Sequence, residues 1–122
     1  VTEFKNQSFA DRLGFALNGL GHALRSEKSL RTQVAALVAA LALLAWLRPP
    51  PVWWALVVLI SSAVLAAELF NTALERLADH LHPGQHPEIR IVKDCAAAAV
   101  LVLSIGALLV ALALAISLWN PQ

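Results

Sequence analysis

Apolar residues recur along the chain in four stretches, parted by a polar joint, a proline turn and a His/Pro/Gly loop. In the first, Phe9, Leu13, Ala16, Leu17, Leu20 and Leu24 repeat at three- and four-residue intervals. Asp11, Arg12, Asn18, His22 and Arg25 fall mostly elsewhere on the wheel. This spacing predicts an amphipathic helix over 8–25, opened by Ser8 and Asp11 in a capping-box pattern with the shorter acid. It is too short and polar to span a bilayer, so it is expected to lie on the membrane surface. Gly14, Gly19 and Gly21 weaken it intrinsically and are read as close packing or a bend. Residues 1–7 are polar and expected to be loosely ordered.

The next three stretches are long enough to cross about 30 Å of hydrocarbon. The first span is 29–47; Arg31 and Gln33 lie near its start, so its lipid-facing part begins near Val34. Arg48-Pro-Pro-Pro51 then stops the helix and forces a tight turn. The second span, 52–80, is apolar through Ala67 and continues its helical pattern past the bilayer. Leu81 to Glu88 reads as a loop, and the third span runs over 91–118. The expected fold is an all-α integral membrane domain occupying 1–122, one surface helix with three transmembrane helices.

Composition agrees. The 122 residues are 59% hydrophobic and 14% charged, with mean hydropathy +0.69; a soluble domain is usually about one quarter charged. Net charge is +1, which gives no reason to invoke nucleic acid. Residues 1–27 do not resemble a signal peptide, so the first apolar run is expected to be retained. Cys95 is the single cysteine and reads as a small packing residue.

Charge and aromatic placement orient the bundle. Trp46, Trp53, Trp54 and Trp119 are all the tryptophans, and the topology puts them at one end as an interfacial belt. Eight of the nine basic residues, all but Arg48, fall at the other end. The positive-inside rule therefore places the N-terminus and the polar loop in the cytoplasm. The third span is dense in small residues, Ala96 to Ala99, Gly106, Ala107, Ala111, Ala113 and Ala115, which permit close helix approach in lipid. Three helices have little interior to shelter a carboxylate, so an oligomer is expected.

Candidate chemistry sits between the second and third spans. Glu68, Asn71, Glu75 and Asp79 lie at i, i+3, i+7 and i+11. At about 100° per residue Glu75 and Asp79 each fall within about 20° of Glu68, so the carboxylates stack on one stripe. Their repulsion calls for a divalent cation or a basic partner. Glu68 follows sixteen mostly apolar residues, and an ionisable group at the hydrocarbon boundary is functional by default, here as a general base. Glu75 lies about 10 Å further along the axis, and Glu27 precedes the first span at a comparable depth. Two such carboxylates can share Mg²⁺, which leaves its remaining sites to water and phosphates. Asn71 can hydrogen-bond either the base or a phosphate. Lys93 is a point-charge partner for phosphate, while Asp94 can hold that lysine or accept from a nucleobase amine. His80, His82 and His86 lack cysteine partners and are not read as a zinc site. No Walker-type glycine loop occurs.

Together, Glu68-x-x-Asn71-Thr-Ala-x-Glu75, Lys93-Asp94-x-Ala-Ala-x-Ala-Val-Leu101 and Glu27-x-x-x-Arg31 resemble the prokaryotic diacylglycerol kinase and undecaprenol kinase family. The resemblance extends from Phe9 to about Leu109. It implies a homotrimeric lipid kinase of the bacterial cytoplasmic (inner) membrane, with active sites shared between subunits and facing the cytoplasm. It implies transfer of the γ-phosphoryl of MgATP to a lipid hydroxyl, with Glu68 as base and Glu27 and Glu75 holding the metal. Asn71, Gly84, Gln85, His86, Lys93 and Asp94 would join Glu27 and Glu75 around the nucleotide, and Arg31 and Ala97 would join Glu68 around the lipid. Gln33 stands where diacylglycerol-acting members often carry an acid, so the lipid is left as diacylglycerol or undecaprenol. The competing reading is a non-enzymatic helical membrane subunit or transporter protomer with Glu68 as an ion site; a transporter predicts that glutamate near the bilayer midplane.

Overall fold

The computed structural model describes residues 7–120; of the N-terminal stretch expected to be loosely ordered, residues 1–6 lie outside the described residues. The described chain is four helices: α1 (Phe9–Ser26), α2 (Lys28–Leu47), α3 (Pro51–Leu81) and α4 (Pro87–Trp119). Three of them, α2 to α4, are long and apolar enough to cross a membrane.

Each boundary has a local cause. Ser8 caps α1, its hydroxyl accepting from the Asp11 N–H at 3.1 Å. The joint between α1 and α2 is one residue, Glu27, whose extended backbone (φ −113°, ψ 110°) ends one helix and starts the next. Its N–H donates to the Ala23 carbonyl, and its own carbonyl accepts from the Arg31 N–H. Arg48 ends α2 in the left-handed conformation (φ 53°, ψ 51°), its N–H donating to the Leu44 carbonyl. Pro51 then occupies the first position of α3, where a missing N–H costs nothing. Pro87 and Glu88, expected in the loop, instead form the first turn of α4. The reason is a cap at His86, whose Nδ1 accepts from the Glu88 N–H at 3.1 Å, followed by Pro87 at the first helical position.

The three long helices follow one another through short connections, with α3 packed against both α4 and α2. A small core of Leu44, Val57 and Leu114 sits at the tryptophan end, with Trp53 and Trp54 partly buried against it. Only Leu30 and Leu44 are fully buried large side chains among the described residues. Most of the apolar surface of α2 to α4 faces outward, as expected where hydrocarbon or other helices are the solvent. Gly106 faces α3, where a Cβ would meet the Ile60 side chain at 3.5 Å, an ordinary packing distance. Gly14 and Gly19 behave differently: a Cβ at either meets nothing within 4 Å, so close packing does not explain them within one copy.

Candidate active site

The polar end of the bundle is tied by three side-chain contacts, one at each helix junction. Arg31 on α2 folds back so that Nη1 donates to the carbonyls of Leu24 (2.8 Å) and Arg25 (3.0 Å), capping the end of α1. Ser29, also on α2, donates from Oγ to Glu68 Oε2 on α3 at 3.0 Å. Lys93 on α4 reaches back to Asp79 on α3. Together they fix α1, α2, α3 and α4 relative to one another where the carboxylates lie.

Glu68 is buried, with only 5% of its surface exposed. Its depth follows from the helix rise of about 1.5 Å per residue. Glu68 is fifteen residues from Trp53 on α3 (68 − 53), about 22 Å; its partner Ser29 is seventeen from Trp46 on α2 (46 − 29), about 26 Å. With the tryptophans at one interface of about 30 Å of hydrocarbon, the carboxylate sits a few ångströms inside the opposite boundary. Thr72, one turn on and also buried, turns its hydroxyl to the Glu68 carbonyl at 3.0 Å. The side chain of Glu68 therefore receives a proton donor only from Ser29 among the described residues.

The carboxylate stripe is divided among three different partners. Glu68 takes the Ser29 hydroxyl, Glu75 Oε1 takes the Asn71 amide Nδ2 at 3.3 Å, and Asp79 takes the Lys93 ammonium. Asn71 thus serves Glu75 and not Glu68. Its Oδ1 is buried without a hydrogen-bond partner, an unmet acceptor beside a carboxylate that invites a cation or a donor from outside the chain. No group of three or more His, Cys, Asp or Glu side chains able to hold a metal occurs among the described residues. Hard oxygens in ones and twos, such as Glu75 with the Asn71 amide oxygen, suit Mg²⁺ completed by water and phosphate. Glu27, partly buried at the α1–α2 joint, makes no side-chain hydrogen bond or ion pair among the described residues and stands two residues before Ser29.

Across the α3–α4 loop lies an open cleft of about 700 Å³ lined by Gly84, Gln85, His86, Arg90 and Lys93, among others. His82 stabilises the loop through the Gly84 carbonyl and an edge-on contact with the His86 ring at 5.3 Å. Four of the expected nucleotide contacts, Gly84, Gln85, His86 and Lys93, therefore share one cleft. Asp94 does not hold Lys93; it pairs with Arg90 at 3.2 Å on an exposed face. Ala97 is exposed one turn along α4 from Lys93. Two further residues join the site in the structure: Ser29, through Glu68, and Asp79, through Lys93.

A sequence model described as prokaryotic diacylglycerol kinase matches residues 14–115. The chain belongs to the prokaryotic diacylglycerol kinase family. The matched segment contains Glu27, Ser29, Glu68, Asn71, Glu75, the cleft and Lys93. The chain is also similar to a diacylglycerol kinase of Synechocystis sp., 36% identical over 98 residues that cover 79% of this chain and 55% of that protein. It thus spans about half the length of the curated relative it matches.

Proposed function

We propose that the chain is a lipid kinase that transfers the γ-phosphoryl group of ATP to the hydroxyl of a membrane lipid, diacylglycerol or undecaprenol. The observation that carries this reading is Glu68, a buried carboxylate just inside the lipid boundary with a single protein donor. A lipid alcohol entering sideways brings its hydroxyl to that depth. Glu68 accepts the hydroxyl proton as the alcohol oxygen bonds to the γ-phosphorus and the bond to ADP breaks. General-base help of this kind is worth about 10²–10⁴-fold; alignment and charge neutralisation supply most of the rest.

The loop cleft with Gly84, Gln85, His86 and Lys93 receives the nucleotide, and Lys93 exchanges Asp79 for phosphate. Arg90 lines that cleft, and Asp94 reaches it through its ion pair with Arg90. Glu27, Glu75 and the Asn71 oxygen would hold Mg²⁺, which when bound neutralises phosphate charge. Arg31 shapes the lipid side by fixing α1 against α2, with α1 lying on the membrane surface through its exposed Phe9, Leu13, Phe15, Leu17 and Leu20, and Ala97 would meet the lipid from an exposed position on α4. Orientation with the polar end in the cytoplasm of a bacterial inner membrane follows from the basic residues gathered there. A homotrimer is supported by the small residues Ala97, Ala98, Ala99, Ala111, Ala113 and Ala115 of α4, all exposed in the single copy. The transporter reading is disfavoured because Glu68 lies about 22 Å from the tryptophan belt, away from the midplane.

Purified protein in detergent micelles is given labelled ATP, Mg²⁺ and either diacylglycerol or undecaprenol. Transfer of label to one alcohol, abolished without Mg²⁺, is expected. Failure to label either lipid overturns the proposal.

A further inference from the structure

The structure assigns Ser29 as the positioning residue of the base: its hydroxyl holds Glu68 Oε2 so that Oε1 is left for the lipid alcohol. This rests on the kinase reading above and goes beyond it by naming what aims the carboxylate.

The assignment comes from where this hydroxyl stands. Ser29 is the second residue of α2, so no earlier turn of its own helix offers the carbonyl that a helical serine or threonine commonly takes. Thr32, further into α2, and Thr72 on α3 do have such a carbonyl and use it, donating to Lys28 at 3.1 Å and to Glu68 at 3.0 Å. Ser29 instead reaches across to α3, and its bond to Glu68 is the one side-chain hydrogen bond joining α2 to α3 among the described residues. A hydroxyl has one proton to give, and it is given to a buried carboxylate, which makes the bond charge-assisted. Glu68 Oε1 has no hydrogen-bond partner among the described residues, yet it is not sealed in; the buried side-chain oxygen left without a partner is on Asn71. One carboxylate oxygen is thus held by the protein and the other is open.

Two consequences follow for the reaction. A glutamate side chain with three torsions loses rotamer freedom on being ordered, and the Ser29 bond sets its direction before substrate arrives. Ser29 also lies two residues after Glu27, so the same bond fixes the depth of the α1–α2 joint relative to the base. Ser29 touches neither reacting atom; it acts through Glu68.

The test measures kcat and KM for dioctanoylglycerol or undecaprenol in micelles, and for MgATP, with wild type, Ser29→Ala, Ser29→Thr and Glu68→Gln. Losing one charge-assisted donor to the base should lower kcat about ten- to a hundredfold in Ser29→Ala. KM for MgATP should stay within about twofold, which also reports a folded protein, and Ser29→Thr should regain most of the rate. If wild type is active and Glu68→Gln is dead while Ser29→Ala keeps its rate, the assignment of Ser29 falls and the kinase reading stands. It falls equally if the Ser29→Ala loss lies in KM for MgATP, or if threonine does not restore the rate. A wild type that phosphorylates neither alcohol overturns the kinase reading, and the assignment with it.

Discussion

Replacing Glu68 by glutamine separates its chemistry from its packing. The amide has nearly the shape of the carboxylate, and its oxygen can still accept from Ser29 Oγ, now 3.0 Å from Oε2. Exchanging a charge-assisted hydrogen bond for a neutral one costs about 1 kcal/mol. Against that, a carboxylate only 5% exposed with one protein donor carries a desolvation penalty that can reach several kcal/mol when charged. The amide removes the penalty, so Glu68→Gln should leave unfolding stability unchanged or raise it by about 1–2 kcal/mol. Turnover should fall by about 10²–10⁴-fold, because the amide cannot take the alcohol proton. KM for MgATP should hardly move, since Glu75 lies about 10 Å further along α3. The measurements are steady-state lipid phosphorylation in micelles and thermal unfolding followed by circular dichroism. A variant within tenfold of the wild-type kcat, or one whose loss sits in KM for MgATP, would refute the base assignment.

Two further outcomes are expected. Glu75→Gln should raise the Mg²⁺ and MgATP concentrations needed for half-maximal rate by at least about tenfold, read by titrating each at saturating lipid; an unchanged ATP dependence removes Glu75 from the metal site. At the α2–α3 turn, Arg48 holds φ 53°, a conformation that costs an L-residue about 1–2 kcal/mol and a β-branched one more. Arg48→Val should therefore lower the unfolding temperature while Arg48→Gly matches or exceeds wild type; equal stability of the valine variant contradicts the strain.

What could be read from the sequence is what depends on periodicity and on residue type. The helices and the polar end were legible because apolar runs and a carboxylate stripe repeat with the helix itself. Pro87 and Glu88 read as loop because their helical state depends on the His86 ring nitrogen acting as a cap, which composition does not announce. Ser29 is hidden for a related reason. A serine in a first turn is common, and its bond to Glu68 spans 39 residues of sequence. The pairing of Lys93 with Asp79 rather than its neighbour Asp94 is likewise set by how the loop closes. Adjacent side chains on a helix point about 100° apart, so Asp94 turns instead to Arg90, one turn back.

The three junction contacts made by Arg31, Ser29 and Lys93 all lie at one end, while at the other α2 and α4 meet α3 through apolar side chains alone. The two ends are thus held by different forces, directional polar contacts at the base and non-directional apolar packing around Leu44, Val57 and Leu114 at the tip. A bilayer thicker or thinner than the spans is met by tilt of the helices, and bonds of fixed length and direction keep the spacing of the reacting groups when they tilt.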